Sequence, residues 1–468
     1  MSEENNNEFA TKNAWLEMEN AEIEEIMSYS QEYADFLSAN KTEREFVESA
    51  VELLRKEGFR PLENTDNLEA GDRIYSVNRG RQIFIAVIGE NDLREGVRLL
   101  GSHIDSPRLD LKPNPLYEDG EMALLDTHYY GGIKKYQWVT IPLALHGLVV
   151  REDGSKLEVN IGEEDDDPVF YISDILPHLG KEQMKKKMSK AITGEDLNVI
   201  IGSRPVDDDD EGKKIKKQIL ALLQDKYDIT GEDFVSADLQ IVPALETRDV
   251  GFDRGLLAGY GHDDRVCSYA ALQAILDVEM PEYTAVTLLV DKEEIGSMGN
   301  TGMQSRYFEN TVAHMVSSYY GEYDELAFRE LLHNTEALSG DVNAAYDPDF
   351  AGVFAKNNSS YLNKGIVLTK YTGARGKAGG SEATAEFVGK VRALFNEAGI
   401  IWQIGELGKV DKGGGGTIAK FLANYSMEVI DSGPPVLSMH SPYELVSKVD
   451  IYNTYLGYSV FLNSGDDK

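Results

Sequence analysis

Histidine and carboxylate side chains recur in five short motifs of this chain, and their combination restricts what the chain can fold into. In chain order the motifs contain His103, Asp263, Glu293 with Glu294, Asp341 and His440. Two divalent metal ions about 3.5–4 Å apart need this set of donors: one shared carboxylate, a histidine and a further carboxylate on each ion, and a separate general base. A bimetallic hydrolase is therefore the first hypothesis.

The positions of these motifs relative to apolar runs predict an α/β fold. His103 follows a strand candidate at residues 96–100, the Glu293–Glu294 pair follows another at 285–290, and His440 follows a short apolar run. In open α/β sheets, ligands bind outside the carboxyl ends of the strands. Asp263 precedes a predicted helix, where backbone N–H groups help to hold a carboxylate. We expect the five ligands to meet at one sheet edge.

Each motif taken alone also has a plain structural explanation. A histidine at a strand end is often structural, adjacent acids favour the start of a helix, and acidic pairs or His440 can lie in solvated turns. Asp105, two residues after His103, favours the functional reading because it can accept the second ring N–H of the histidine and fix its tautomer. Glu293 and Glu294 directly follow an apolar strand, and we expect one to bind metal while the other acts as a base.

Composition excludes several classes of partner. The chain has 468 residues and a net charge of −35, which argues against nucleic acid and anionic membranes as partners. No apolar run approaches the roughly 20 residues of a membrane span. Residues 1–7 are acidic and lack an apolar segment, so secretion is not expected. The single cysteine, Cys267, excludes an intramolecular disulfide, predicts a small buried residue, and fits a reducing cytoplasm.

The sequence pattern changes between about residue 107 and residue 250. Short β-like stretches there mix with lysine-rich and acidic segments, and none of the five motifs falls in this region. We predict a catalytic domain at residues 1–106 and 249–468, with a second domain inserted at 107–248. The acidic runs at 163–167 and 207–211 predict solvated loops, and residues 21–55 predict helix.

Longer stretches around the motifs resemble the aspartyl-aminopeptidase family of metallo-aminopeptidases. The resemblance rests on residues 102–107, 111–115, 291–297 and 439–444, in the family's order and spacing, and covers nearly the whole chain. Residues 373–377 and 411–417 are similar to the bacterial aminopeptidase branch. The resemblance implies a catalytic α/β/α domain with a central mixed sheet, as in zinc peptidases, and an inserted β-rich dimerisation domain. It also implies dimers that assemble into a tetrahedral dodecamer.

The resemblance also implies a role for each site residue. One metal is held by His103 and Asp341, the other by Glu294 and His440, and Asp263 bridges them; Glu293 is the general base and Asp105 orients His103. His178 corresponds to a family histidine that reaches into a neighbouring subunit's active site, with a surface histidine as the alternative. Lys370 lies near a basic residue of the substrate pocket, although Arg375 and Lys377 are further candidates.

We therefore expect a cytoplasmic aminopeptidase that removes N-terminal residues from peptides. A water that bridges the metals is the expected nucleophile, and the two divalent ions are expected to be Zn²⁺, with Co²⁺ and Mn²⁺ as alternatives. A related dinuclear acylase or carboxypeptidase and a non-catalytic metal-binding assembly protein are the competing hypotheses. The sequence leaves the preferred N-terminal residue open, and it leaves the four glycines at 413–416 as either a linker or an active-site wall.

Overall fold

The computed structural model describes residues 11–207 and 212–465. The predicted acidic loop at 207–211 lies, apart from Asp207, outside the described residues, as do residues 1–7, on which the expectation of no secretion signal depends. Within the described ranges, every helix is too short or too polar to span a lipid bilayer.

In the part of the chain that the structure describes, two α-helices precede eight strands, and helices and strands are interspersed from residue 181 onward. The strands are β1 Arg60–Pro61, β2 Arg73–Asn78, β3 Gln82–Val87, β4 Val97–His103, β5 Arg108–Asp119, β6 Met122–Tyr130, β7 Leu143–Val150, β8 Lys156–Ile161, β9 Val199–Gly202, β10 Ala237–Pro243, β11 Arg248–Val250, β12 Leu256–Gly259, β13 Thr284–Val290, β14 Glu336–Gly340, β15 Asn343–Ala344, β16 Ile366–Thr369, β17 Gly373–Ala374, β18 Trp402–Ile404, β19 Gly414–Gly415, β20 Glu428–Gly433, β21 Pro435–Leu437 and β22 Glu444–Ser447. The α-helices are α1 Asn20–Ala39, α2 Glu43–Lys56, α3 Lys181–Met184, α4 Met188–Ala191, α5 Lys214–Tyr227, α6 His262–Leu276, α7 Tyr307–Tyr320, α8 Glu325–Asn334, α9 Ala385–Glu397, α10 Ala419–Ala423 and α11 Lys448–Leu462.

A nine-stranded mixed sheet forms the centre of the fold, in the order β1-β2-β3-β13-β4-β14-β20-β16-β18. Its middle strands β13, β4, β14 and β20 run parallel to one another, and β4 and β13 are buried along their whole length because helices cover both faces. Side chains from α1, α2, α6, α9 and α11 form the core on one face, and those from α7, α8 and α10 form the core on the other. The predicted α/β fold with a mixed central sheet is confirmed.

A separate antiparallel sheet lies in the middle of the chain. Its six strands, in the order β8-β7-β10-β5-β6-β9, all come from residues 108–243, and they enclose their own apolar core. The predicted domain limits of 107–248 and the dimerisation role stay predictions. Strand β11 belongs to a third, five-stranded sheet with the order β11-β12-β22-β21-β15.

Local details add to the predictions and in places differ from them. The predicted helical residues 21–55 form two helices, because the Thr42 side chain caps α2 in a box with Glu45 and so starts a new helix. The β-like pattern at residues 139–145 and 147–150 corresponds to the single strand β7. Strand β4 continues past Gly101 to His103. A side chain at Gly101 would come within 3.2 Å of Ile418, so this glycine permits the close approach of α10 and does not end the strand.

Candidate metal centre and active site

Three neighbouring parallel strands bring three of the predicted ligands to one sheet edge. His103 ends β4, while Asp341 follows β14 directly and Glu294 lies four residues after β13. These strands are adjacent in the order β13-β4-β14. Because parallel strands end at the same edge, the three side chains meet there, and the apolar runs before His103 and Glu294 predict this for those two residues.

The other two predicted ligands come from the five-stranded sheet. Asp263 lies after β12, and His440 lies in the turn between β21 and β22. Asp263 was expected before a helix and His440 after a short apolar run; the structure places both after strands of the five-stranded sheet, from which they reach the same sheet edge as the other three. The regular part of α6 begins only after Asp264, because Asp263 and Asp264 have non-helical backbone angles and are joined by a cis peptide bond.

Asp263 lies between the two histidines. Its Oδ1 is 3.3 Å from Nε2 of His103, and its Oδ2 is 3.1 Å from Nε2 of His440. Nε2 of His440 is also 3.3 Å from Oε1 of Glu294. One carboxylate therefore offers a separate oxygen to each side of the centre, which is the geometry that a bridging ligand requires.

The donor atoms form two overlapping groups. Those of His103, Asp263 and Asp341 lie within 4.8 Å of one another, and so do those of Asp263, Glu294 and His440. Imidazole nitrogens and carboxylate oxygens are the ligands that zinc prefers in catalytic sites. Oε1 of Glu294 is buried and accepts no hydrogen bond from the described residues, which leaves it available to a cation. The residues thus fit a dinuclear metal site.

The electrostatics of the cluster also favour bound cations. Burial alone would lower the pKa of His440, but the hydrogen bond with Asp263 and the charge of Glu294 raise it to about 11. Burial raises the pKa values of Glu294 and Asp341, and the charge of nearby Asp263 raises them further. Positive charge, whether on a proton or on a metal, is therefore stabilised here.

Glu293 lies beside the two groups without belonging to either. Its Oε2 is 4.0 Å from Nε2 of His103, and its side chain keeps 17% of its surface exposed to the cavity side. Burial raises the pKa of Glu293 to about 7; the charge of His103 lowers it, and those of Asp105 and Asp263 raise it. A carboxylate with a pKa near neutrality is suited to accept and return a proton.

Supporting residues fix the ligands, and the sequence indicated only some of them. Asp105 accepts hydrogen bonds from the backbone N–H groups of Glu293 and Glu294. Nδ1 of His103 lies 2.9 Å from the backbone carbonyl oxygen of Asp105 and 3.4 Å from its Oδ1, and the orienting role of the Asp105 carboxylate stays a prediction. Glu444, which the sequence did not single out, accepts the N–H of Asp263 at 2.9 Å. The sequence analysis also missed Tyr130, whose hydroxyl donates a hydrogen bond to Asp105, and Gly132, whose carbonyl oxygen lies 2.9 Å from Nδ1 of His440.

A cavity of about 670 Å³ opens onto the metal centre. Residues 413–416 form part of its wall, where β19 pairs with β17, so the alternative of a simple linker is excluded. Arg375 and Lys377 line the cavity, but Lys370 does not. Thr369 takes that place because successive residues of a strand point to opposite faces. His178 is exposed on the six-stranded unit and does not line the cavity of its own subunit.

Comparison with known proteins identifies the family of this fold and site. Residues 36–462 match the family described as aminopeptidase I zinc metalloprotease (M18). The chain belongs to the M18 aminopeptidase family. It is thus a zinc metalloprotease that removes N-terminal residues, and the recognised resemblance is confirmed.

Individual M18 relatives match over almost their whole length. A probable M18 family aminopeptidase 1 of Clostridium acetobutylicum is 52% identical over 97% of this chain and 98% of its own. The crystal structure of an M18 aminopeptidase from Thermotoga maritima matches with a TM-score of 0.94 and 45% identity, covering 97% of this chain and all of that one. A solved dodecamer of S. cerevisiae mApe1 shares the fold at a TM-score of 0.75 and 24% identity, over 92% of this chain and 96% of that one.

Proposed function

We propose that this M18 aminopeptidase works with two zinc ions. His103 and Asp341 would hold one ion, Glu294 and His440 the other, and Asp263 would contact both. The single observation that carries this proposal is the position of the Asp263 carboxylate. One of its oxygens lies 3.3 Å from Nε2 of His103, and the other lies 3.1 Å from Nε2 of His440. When bound, the ions supply Lewis acidity to water and to the scissile carbonyl.

Glu293 is the proposed general base. It belongs to neither ligand group, yet it lies at the same cavity face with a pKa raised to about 7. Its carboxylate would take a proton from the attacking water and return it to the amine that leaves. Asp105 would hold the backbone of Glu293 through the N–H that it accepts at 3.0 Å.

The cation that contacts substrate is proposed to be Arg375 rather than Lys370. Arg375 lines the cavity, and none of the described carboxylates lies within 4.0 Å of its guanidinium group. Lys377 also lines the cavity, but it pairs with Glu382 at 2.8 Å and lies over the ring of Tyr371. An unpaired guanidinium favours binding of a carboxylate on the peptide.

Self-assembly through the six-stranded unit is also proposed, as dimers that build a dodecamer. Five apolar side chains of this unit are 47–70% exposed in the single chain: Ile175, Leu176, Leu179, Met184 and Met188. An apolar patch of this kind marks an interaction surface. His178 lies among them, which supports the hypothesis that it enters a neighbouring active site. We further propose that the enzyme acts in the cytoplasm, since Cys267 is buried and unpaired.

Initial rates on dipeptides that differ only at the N-terminal residue test the proposed reaction. Each peptide is measured free and N-acetylated, with protein stripped of metal and then restored with zinc. We expect hydrolysis of the free peptides alone, and only after two zinc ions per chain are bound. Full activity with one ion would contradict the two-zinc proposal, and cleavage of the acetylated peptides would indicate an acylase.

The proposed role of Arg375 has its own control. The same panel is measured with Arg375→Gln and, as a matched change of a cation outside the cavity, Lys370→Gln. We expect only Arg375→Gln to raise KM for peptides that carry an extra carboxylate. Equal changes of KM in the two variants would contradict the proposed contact between Arg375 and the substrate carboxylate.

A further inference from the structure

Three consecutive residues of the six-stranded unit reach the metal centre. They are Tyr130, which ends β6, and the two glycines that follow it. The Tyr130 hydroxyl donates a hydrogen bond to Oδ2 of Asp105 at 2.8 Å, and the carbonyl oxygen of Gly132 lies 2.9 Å from Nδ1 of His440. This segment, residues 130–132, therefore contacts groups on both sides of the site.

The carboxylate of Asp105 accepts the hydrogen bond from Tyr130 and also contacts the residues after β13. Its Oδ1 accepts the N–H of Glu293 at 3.0 Å and faces His103, while its Oδ2 accepts the N–H of Glu294 at 3.2 Å. The hydroxyl of Tyr130, which comes from the six-stranded sheet, is a second donor to Oδ2 at 2.8 Å and adds to the hydrogen bonds that hold this carboxylate.

Tyr130 is itself held in place. Its ring is buried, and the guanidinium carbon of Arg108 lies 3.7 Å from the ring centre. Arg108 in turn pairs with Asp110 at 2.8 Å and faces buried Glu43 at 3.7 Å. A stacked cation anchored by two carboxylates leaves the ring little freedom, so its hydroxyl has one orientation.

The two glycines allow the backbone to come close to the ligands. Gly131 has a φ of +77°, and a side chain there would lie 3.3 Å from Oε2 of Glu294. A side chain at Gly132 would lie 3.3 Å from Nδ1 of His440. These distances are tighter than ordinary van der Waals contact, so a larger residue would require Glu294 or His440 to shift by a few tenths of an ångström.

We propose that Tyr130 is a positioning residue of the reaction, and that residues 130–132 link the six-stranded unit to the metal centre. The inference rests on the metal-site roles proposed above. Tyr130 acts through the carboxylate of Asp105, which accepts the N–H groups of Glu293 and Glu294, while the backbone carbonyl oxygen of the same residue lies 2.9 Å from Nδ1 of His103. The hydrogen bond from His440 to Gly132 fixes the imidazole tautomer that leaves Nε2 free for metal.

The test compares Tyr130→Phe with a matched control, Tyr307→Phe. Tyr307 donates one hydrogen bond to the carbonyl oxygen of Ser76 at 2.6 Å, remote from the site. Zinc retention against a competing chelator is measured without substrate, and kcat and KM are measured on zinc-loaded enzyme. We expect Tyr130→Phe to weaken zinc retention and lower kcat by about tenfold or more, with KM nearly unchanged. Tyr307→Phe should change neither.

The positioning role is overturned if Tyr130→Phe retains zinc and turns over like wild type, or if Tyr307→Phe shows the same losses. Should Tyr130→Phe not fold, Arg108→Lys gives the second test, since it keeps a cation beside Glu43 but removes the planar group from the ring. Zinc retention and kcat equal to wild type in that variant would also overturn the role. If the wild-type enzyme keeps its activity after zinc is removed, the proposed two-zinc function is refuted instead. Failure of the positioning role and failure of the proposed function therefore give different results.

Discussion

The backbone N–H of Asp263 donates a hydrogen bond to Oε2 of Glu444 at 2.9 Å. Oε1 of the same buried carboxylate accepts the N–H of His440 at 2.6 Å. One side chain therefore fixes the backbone at both ligands that the five-stranded sheet contributes. Glu444 therefore holds the backbone on which the proposed bridging carboxylate of Asp263 is carried, and if Asp263 bridges, its loss affects both metals.

Removal of Asp263 should therefore empty the whole site. We expect Asp263→Ala to lose both zinc ions, because each ligand group contains this residue, whereas His440→Ala should lose mainly one. Elemental analysis of metal per chain after gel filtration measures the difference. As a control, the exposed Asp277→Ala should bind zinc as wild type does. Retention of two ions by Asp263→Ala would rule out its bridging role.

Glu293→Gln separates metal binding from chemistry. The amide keeps the shape of the side chain but cannot accept a proton, so we expect kcat to fall by about 10²–10⁴-fold. Zinc content and thermal stability should stay near the wild-type values, since Glu293 belongs to neither ligand group. Steady-state kinetics on a free dipeptide, together with metal analysis, measures this. Turnover at the wild-type rate would show that another group moves the proton.

His146 predicts a pH dependence of stability away from the active site. Its ring nitrogens lie 2.7 Å from Glu45 and 2.9 Å from Glu163. Burial alone would lower the pKa of His146, but the hydrogen bonds with Glu163 and Glu45 raise it above the usual value. Because the folded-state pKa is raised, the stabilisation is fully present below the unfolded-state pKa of about 6.5 and is lost as pH rises through the folded-state pKa.

We therefore expect His146→Gln to lower the free energy of unfolding by about 1–3 kcal/mol at low pH. The difference from wild type should shrink as pH rises above about 6.5. Urea unfolding at several pH values measures it, and the exposed His333→Gln serves as the control. A difference that grows with pH would mean that the imidazolium is not the stabilising form.

The glycines of the cavity wall are not equivalent. Gly414 has a φ of +140°, and a side chain there would lie 2.6 Å from Cα of Ala374, whereas the nearest atom to a side chain at Gly415 is 4.0 Å away. We expect Gly414→Ala to break the β17–β19 pairing at a cost of about 1–3 kcal/mol and to lower kcat/KM. Gly415→Ala is the matched control and should keep both values. Equal kinetics in the two variants would show that this pairing does not shape the cavity.

The sequence predicted the parts of the site that depend on strand order. His103 and Glu294 follow long apolar runs, and the carboxyl ends of parallel strands meet at one edge. The origin of Asp263 and His440 could not be predicted, because β12, β21 and β22 are short and pair over long sequence separations. Local periodicity carries no information on such pairings.

Other residues escaped prediction for reasons of geometry. Lys370 and Thr369 are neighbours, and only the strand register decides which of them faces the cavity. Gly132 acts through its carbonyl oxygen, a group that every residue possesses. Glu444 lies within a motif quoted for His440, but its two backbone donors become apparent only in three dimensions.

The contact between residues 130–132 and the candidate ligands has a consequence for the proposed assembly. The strand that ends at Tyr130 belongs to the same sheet unit that exposes Leu179 and Met188 at its surface. If the proposed subunit contact shifts this unit, it also shifts the groups that hydrogen-bond to Asp105 and His440. By thermodynamic linkage, zinc binding and subunit association would then change each other's affinity by the same factor.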